Sequence, residues 1–176
     1  MKFFETRVEG AYLINLEKID DERGFFARTW DSKIFKKFGL NNNIKQCNIS
    51  LTKTKGTIRG MHLQISPHEE SKLVRCVQGK VFDVIVDLRS NSKTYLEKFE
   101  IELDSTENKS LFIPEGFAHG FQTMDDNTDV YYQISQFFKA DFGRGILWND
   151  PIFNINWPIL DPILSDKDKL YDSFNV

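Results

Sequence analysis

The chain is poor in the residues that would commit it to several common designs. Its two cysteines, Cys47 and Cys76, stand far apart with no CxxC spacing, which leaves no disulfide framework and no structural zinc signature. Only 5 prolines and 10 glycines occur, mostly at plausible turns, and there is no internal repeat, heptad run or low-complexity tract, so no linker is expected. A basic excess is also missing. With 23 Lys plus Arg against 26 Asp plus Glu the net charge is -3, and no positive field exists to draw in DNA or RNA. No apolar run approaches the roughly 18 residues that span a bilayer. The start, Met1-Lys2-Phe3-Phe4-Glu5-Thr6-Arg7, mixes acid and base among its apolar residues. Neither nucleic acid nor membrane is expected as a partner, and the cysteine usage fits a cytoplasmic location. What the chain has in quantity is apolar and aromatic side chain, 40% and 14% of its 176 residues, including 16 Phe. That is enough to bury one core, and residues 1–176 read as a single domain.

Period-two alternation dominates. Lys72-Leu73-Val74-Arg75-Cys76-Val77, the turn Gln78-Gly79 and the run Lys80-Val81-Phe82-Asp83-Val84-Ile85-Val86-Asp87-Leu88 read as a β-hairpin. Further strands are expected at Ile44–Leu51, Thr57–Leu63, Tyr95–Leu103, Ser110–Ile113, Gly120–Met124 and Thr128–Phe138, at the turn spacing of sandwiches and barrels. One short helix is expected over Asp31–Gly39, where an acidic or hydroxyl cap precedes Ile34, Phe35 and Phe38, and Gly39 closes the turn. The class is mainly β, a jelly roll or similar small barrel. Within the run 82–87, Asp83 and Asp87 share one face, opposite Phe82, Val84 and Val86. Alternation alone fits an enclosed polar face and a solvated one equally.

Three histidines exist, His62, His68 and His119. A metal-binding barrel would usually place a His-x-His pair on one strand; position 64 is Gln, so no metal is expected. Arg59, three residues before His62, suggests an anion-handling pocket in which Arg59 clamps a phosphate and His62 takes a proton. Residue types alone also fit plainer readings: a structural His62, a rigid corner at Pro114-Glu115-Gly116-Phe117-Ala118-His119-Gly120, core packing at Tyr131-Tyr132, a solvated Lys72 and a simple turn at Arg23-Gly24-Phe25-Phe26.

Taken in order, however, Arg23-Gly24-Phe25-Phe26, Gln46-x-Asn48, Arg59-Gly60-x-His62-x-Gln64, Lys72-Leu73-Val74-Arg75, Val81-Phe82-Asp83-Val84 with Asp87-Leu88-Arg89, Ile113-Pro114-Glu115-Gly116-Phe117-Ala118-His119-Gly120-Phe121, Trp148-Asn149-Asp150-Pro151 and Leu164-Ser165-x-Lys167-Asp168 span nearly the whole chain. In this the sequence resembles the dTDP-4-dehydrorhamnose 3,5-epimerase family, the nucleotide-sugar epimerases of deoxysugar biosynthesis. The resemblance implies a cupin-like jelly roll (double-stranded β-helix) with short peripheral helices, a homodimer, and a site within the barrel that uses no metal and no cofactor. It places the general base on His62, its orienting carboxylate on Asp168, a lysine on Lys72 and the acid on Tyr132. Contacts to the nucleotide-diphosphate sugar fall on Arg23, Gln46, Asn48, Arg59, Asp83, His119 and Lys167.

Three positions depart from the family pattern. Arg28 stands where a base-contacting Glu is common, Phe137-Phe138 replaces a tyrosine pair, and Gly143 replaces an acidic ligand contact. Arg28 and Phe138 are therefore carried as contacts to a base pocket whose chemistry has changed from acceptor to donor. The expected activity is inversion of C3 and C5 of a dTDP-linked 4-keto-6-deoxysugar, or of a GDP- or CDP-linked relative. A C3-only epimerase, a ketoisomerase and a non-catalytic sugar-nucleotide-binding cupin are the alternatives.

Overall fold

The computed structural model describes residues 1–175, and its order of elements is β1 (Lys2–Glu5), β2 (Tyr12–Asn15), β3 (Lys18–Asp21), β4 (Gly24–Ala27), α1 (Ser32–Lys37), β5 (Gln46–Thr52), β6 (Ile58–Gln64), β7 (Lys72–Gln78), β8 (Lys80–Asp87), β9 (Lys98–Asp104), β10 (Lys109–Ile113), β11 (Phe117–Thr123), β12 (Thr128–Ile134), β13 (Gly143–Gly145) and α2 (Asp166–Lys169). Two antiparallel sheets face each other. One has strand order β1-β2-β10-β7-β12-β5, the other β13-β6-β11-β8-β9, and β3 with β4 forms a separate two-stranded ribbon. This is the expected mainly β, jelly-roll class. No helix among the described residues is long and apolar enough to cross a membrane.

The expected β7–β8 hairpin is corrected. β7 pairs with β10 and β12 in the first sheet, whereas β8 pairs with β11 and β9 in the second. Gln78-Gly79 is a tight turn, but it carries the chain from one sheet to the other. The physical reason lies in the core: Val74 and Cys76 of β7 pack in one cluster with Val81 and Ile85 of β8 and with Leu103, Leu111 and Phe121. Strands paired side by side would bury these side chains only against a third layer. Facing each other, they fill the interior directly, each such side chain stabilising the fold by roughly 1.5–3 kcal/mol.

Both sheets are also covered outside. On the second, Val84 and Val86 pack under Ile146, Phe153 and Trp157 of the C-terminal third. On the first, α1 seats Phe35 among Ile14, Leu73 and Phe112, its N-terminus capped by the Asp31 carboxylate accepting from the Lys33 and Ile34 amides. The far end of the first sheet is left open, with Ile49 and Leu51 of β5 exposed alongside Phe25 and Phe26 of the ribbon.

Burial on both faces explains the aspartates of β8. Asp83 and Asp87 are fully buried, so the enclosed polar face is the one realised. Asp87 accepts from the Arg89 backbone and guanidinium, from Ser92 Oγ at 2.6 Å and from Thr94 Oγ1 at 2.8 Å. Burial alone would raise its carboxyl, yet these donors hold it below the usual carboxylate range. The network therefore contributes its stability in full above the unfolded value of about 3.9 and loses it as pH falls through the depressed folded value. Thermal midpoints should be flat between about pH 7 and 5 and drop steeply below about 4; a midpoint insensitive to acid would contradict this.

Candidate active site

The site begins with a break in strand regularity. Residues three apart in a regular strand face opposite sides, which would send Arg59 and His62 apart. In β6, Arg59 pairs with Phe121 and His62 with His119 of β11, so Gly60 and Met61 together oppose the single Gly120. This bulge turns both functional side chains inward. It requires glycine: Gly60 has φ of +148°, and a Cβ there would stand 2.5 Å from the Gly120 Cα.

Between the sheets lies a cavity of about 760 Å³, a size suited to a small-molecule ligand. From the second sheet it receives Arg59, His62 and His119; from the first, Lys72 of β7, Tyr132 of β12, and Gln46 and Asn48 of β5. Register explains the last three, since Tyr132 lies opposite Asn48 and Ile134 opposite Gln46 on the inward face. Lys167 and Asp168 of α2 complete one wall, and Phe138 stands at the mouth, 63% exposed.

His62 Nε2 lies 2.7 Å from Asp168 Oδ1. Asp168 is buried on α2, whose cap Ser165 accepts the Asp168 amide at 3.1 Å. Burial alone would raise the Asp168 carboxyl, but the hydrogen bond and charge of His62, with smaller contributions from Ser165 and the Gly60 backbone, carry it below its ordinary value. An ionised Asp168 accepts the Nε2–H, and a neutral His62 then keeps the Nδ1 lone pair free. Across the cavity, burial pushes the Tyr132 phenol well above its usual value, the Asp83 carboxylate adding to the effect and Arg59 opposing it. Such a phenol stays protonated and can donate. The Lys72 ammonium spans the two sheets: it starts on β7, pairs with Glu70 Oε1 at 3.1 Å and donates to the His62 carbonyl oxygen at 3.4 Å. An ammonium has three donors, so one remains for a ligand.

Three expected contacts lie elsewhere. Asp83 does not line the cavity; it sits behind His119, its Oδ2 3.0 Å from Nε2, and orients that ring. Arg23 and Arg28 are on or beside the β3–β4 ribbon, paired with Asp21 and Asp31, and the Arg23 side chain is 89% exposed. They are absent from this chain's own cavity because the ribbon pairs with neither sheet.

The lining residues that escaped the sequence reading include Glu70, Arg144 and Tyr171. Glu70 is two positions before Lys72, a spacing that puts both on one side of extended chain and could have flagged it. Its Oε2 accepts from Gln64 Nε2 at 2.9 Å, and Gln64 also accepts the Lys139 amide at 2.6 Å, so the residue in the would-be metal position braces the loop beside the mouth. Tyr171 has no sequence signal at all.

Comparison with known proteins agrees with this geometry. Residues 5–175 match the family model described as dTDP-4-dehydrorhamnose 3,5-epimerase. A curated dTDP-4-dehydrorhamnose 3,5-epimerase of Shigella flexneri is 40% identical over 96% of this chain and 93% of its own. The crystal structure of the Bacillus anthracis dTDP-4-dehydrorhamnose 3,5-epimerase with TDP and pyrophosphate bound superposes with a TM-score of 0.95 at 38% identity, covering 98% of this chain and 99% of that one. That of ChmJ, a 3′-monoepimerase from Streptomyces bikiniensis in complex with dTDP-quinovose, gives 0.86 at 26% identity, covering 96% and 85%. By motif order, fold and these matches, the chain belongs to the dTDP-4-dehydrorhamnose 3,5-epimerase family.

Proposed function

We propose that the protein inverts C3 and C5 of a dTDP-linked 4-keto-6-deoxyhexose. The observation that carries this reading is the opposition of the His62–Asp168 pair on one wall to the Tyr132 phenol on the other, with the Lys72 ammonium spanning them. The C4 ketone acidifies the hydrogens at C3 and C5. Neutral His62 takes one of them through Nδ1 while the Asp168 carboxylate stabilises the imidazolium that forms. The electron pair moves onto O4, where the free N–H of Lys72, a side chain about nine-tenths buried, meets the developing charge. Inversion needs the proton to return on the opposite face, and the protonated Tyr132 stands there. Arg59 spends its Nε on Thr52 Oγ1 and one amino group on the Leu51 carbonyl, leaving donors for the diphosphate. His119, Lys167, Gln46 and Asn48 complete the nucleotide contacts, and Phe138 at the mouth offers a ring to the base.

In D₂O, the protein with such a substrate should wash deuterium into C3 and C5. Tyr132→Phe should spare abstraction but slow completion at one centre. Label confined to C3 would select the C3-only reading, which the likeness to ChmJ keeps in view; no label with any dTDP-, GDP- or CDP-linked 4-ketosugar would defeat the proposal.

The working unit in this reading is a homodimer in the cytoplasm, where the free thiols of Cys47 and Cys76 stay reduced. The exposed apolar end of the first sheet and the exposed face of the ribbon suit a second copy, whose cavity would then receive Arg23 and Arg28. Sedimentation should give a dimer. Because the Arg23 side chain is 89% exposed, Arg23→Ala should leave the fold intact while raising KM about 10- to 100-fold, the loss of a charged hydrogen bond. A monomer with unaltered KM would refute the shared site.

A further inference from the structure

The Asp168 carboxylate fixes one nitrogen of His62, but a single hydrogen bond sets a distance and leaves the ring free to tilt about it. The ring torsion of histidine is intrinsically broad. With the His62 side chain 42% exposed, surrounding side chains do not pin it from all sides. One aromatic group does touch it: the Tyr171 ring stands edge-on to the imidazole, centroids 5.8 Å apart and planes at 75°. Tyr171 lines the same cavity and lies three residues after Asp168, so one short segment supplies both constraints on His62.

The seat of Tyr171 is built on the neighbouring strand. Gly145 of β13 is the register partner of His62, and a Cβ at Gly145 would stand 2.1 Å from Cε2 and Cζ of the Tyr171 ring. Only glycine lets the ring lie in that position beside the base. The segment is tied down on either side: the Leu147 amide donates to the Asp172 carbonyl at 3.0 Å, and Ser165 caps α2. Lys167 Nζ also lies over the Tyr171 ring, 5.9 Å from its centroid.

We propose that Tyr171, seated on Gly145, is a positioning residue that fixes the tilt of His62 and thereby aims Nδ1 at the substrate hydrogen. The proposal rests on the epimerase reading above. It predicts that the ring matters and the phenol hydroxyl does not, and that Gly145 matters only through Tyr171.

Single-turnover and steady-state deuterium exchange with the dTDP-linked 4-ketosugar tests this. Tyr171→Ala should lower kcat about 10- to 100-fold, the cost of a misaimed reacting group, with KM changed by less than about threefold. Tyr171→Phe should restore kcat to near the wild-type value. Gly145→Ala should reproduce the Tyr171→Ala loss, and adding it to Tyr171→Ala should cost nothing more, since the two act through one contact. If Gly145→Ala fails to fold, the contrast between Tyr171→Ala and Tyr171→Phe decides alone. Wild-type kcat in Tyr171→Ala, a loss carried by KM, a Tyr171→Phe variant as slow as Tyr171→Ala, or multiplying effects of the two positions would each overturn the proposal. A wild-type protein that exchanges no deuterium would overturn the epimerase reading and this inference with it, an outcome distinct from an active wild type beside an equally active Tyr171→Ala.

Discussion

Replacing His62 with alanine is expected to lower deuterium exchange at C3 and C5 by about 100- to 10,000-fold, the usual worth of a positioned general base. Unfolding should not account for the loss. The His62 side chain is 42% exposed to the cavity, so its removal leaves no void in the core. The neighbouring carboxylate supplies an independent signature. Asp168 is held below its ordinary value largely by His62, against a burial penalty that acts in the opposite direction. Without the imidazole its hydrogen bond and charge are lost, and the Asp168 carboxyl should titrate higher in the variant than in the wild type, visible by carboxyl-detected NMR. Asp168→Asn should also be slow, because an amide can accept the Nε2–H but carries no charge to stabilise an imidazolium. Exchange within tenfold of wild type in His62→Ala would remove His62 from the mechanism.

Lys72→Met should cost about 100- to 1,000-fold in the same assay, as expected when one fixed donor to a developing oxyanion is lost. Here stability must be separated from chemistry, since Lys72 and Glu70 form an ion pair with both side chains about nine-tenths buried. Removing the ammonium alone strands the Glu70 carboxylate, and breaking one side of a buried pair costs about 3–5 kcal/mol. The double variant Glu70→Gln with Lys72→Met no longer buries a lone charge, so it should recover most of the thermal midpoint while remaining as slow as Lys72→Met. Recovery of activity together with stability would mean that Lys72 serves the fold and not O4.

How much of this was legible beforehand differs from element to element. Strands β6 to β12 follow from period-two patterning because each buries side chains in the core, β5 from its alternation although only Thr52 of it is buried, and α1 from its Asp31 cap and apolar Phe35. Strands β1 to β4 were missed. They are short, and the burial of β1, β3 and β4 does not alternate cleanly, since β1 is an edge and the ribbon is open to solvent on most sides. The β7–β8 error has a single source: a turn signal states that the chain reverses, not whether the two arms pair or face each other. Most polar residues of the site could be named from motif order, whereas Glu70 was marked only by its spacing from Lys72 and Tyr171 by nothing. Their parts depend on a 3.1 Å ion pair and a ring seated on a glycine of another strand.

By itself the amino-acid sequence determined the mainly β class, the family and the residues available for proton transfer, because apolar alternation and residue chemistry are local properties. Only the tertiary structure decided that Arg59 and His62 share a face, that Asp83 backs His119, and that the ribbon carrying Arg23 stands apart from this chain's own cavity. Those outcomes depend on a bulge, on strand register and on which sheets close over one another. They arise from contacts between residues distant in the chain, and no window of sequence contains them.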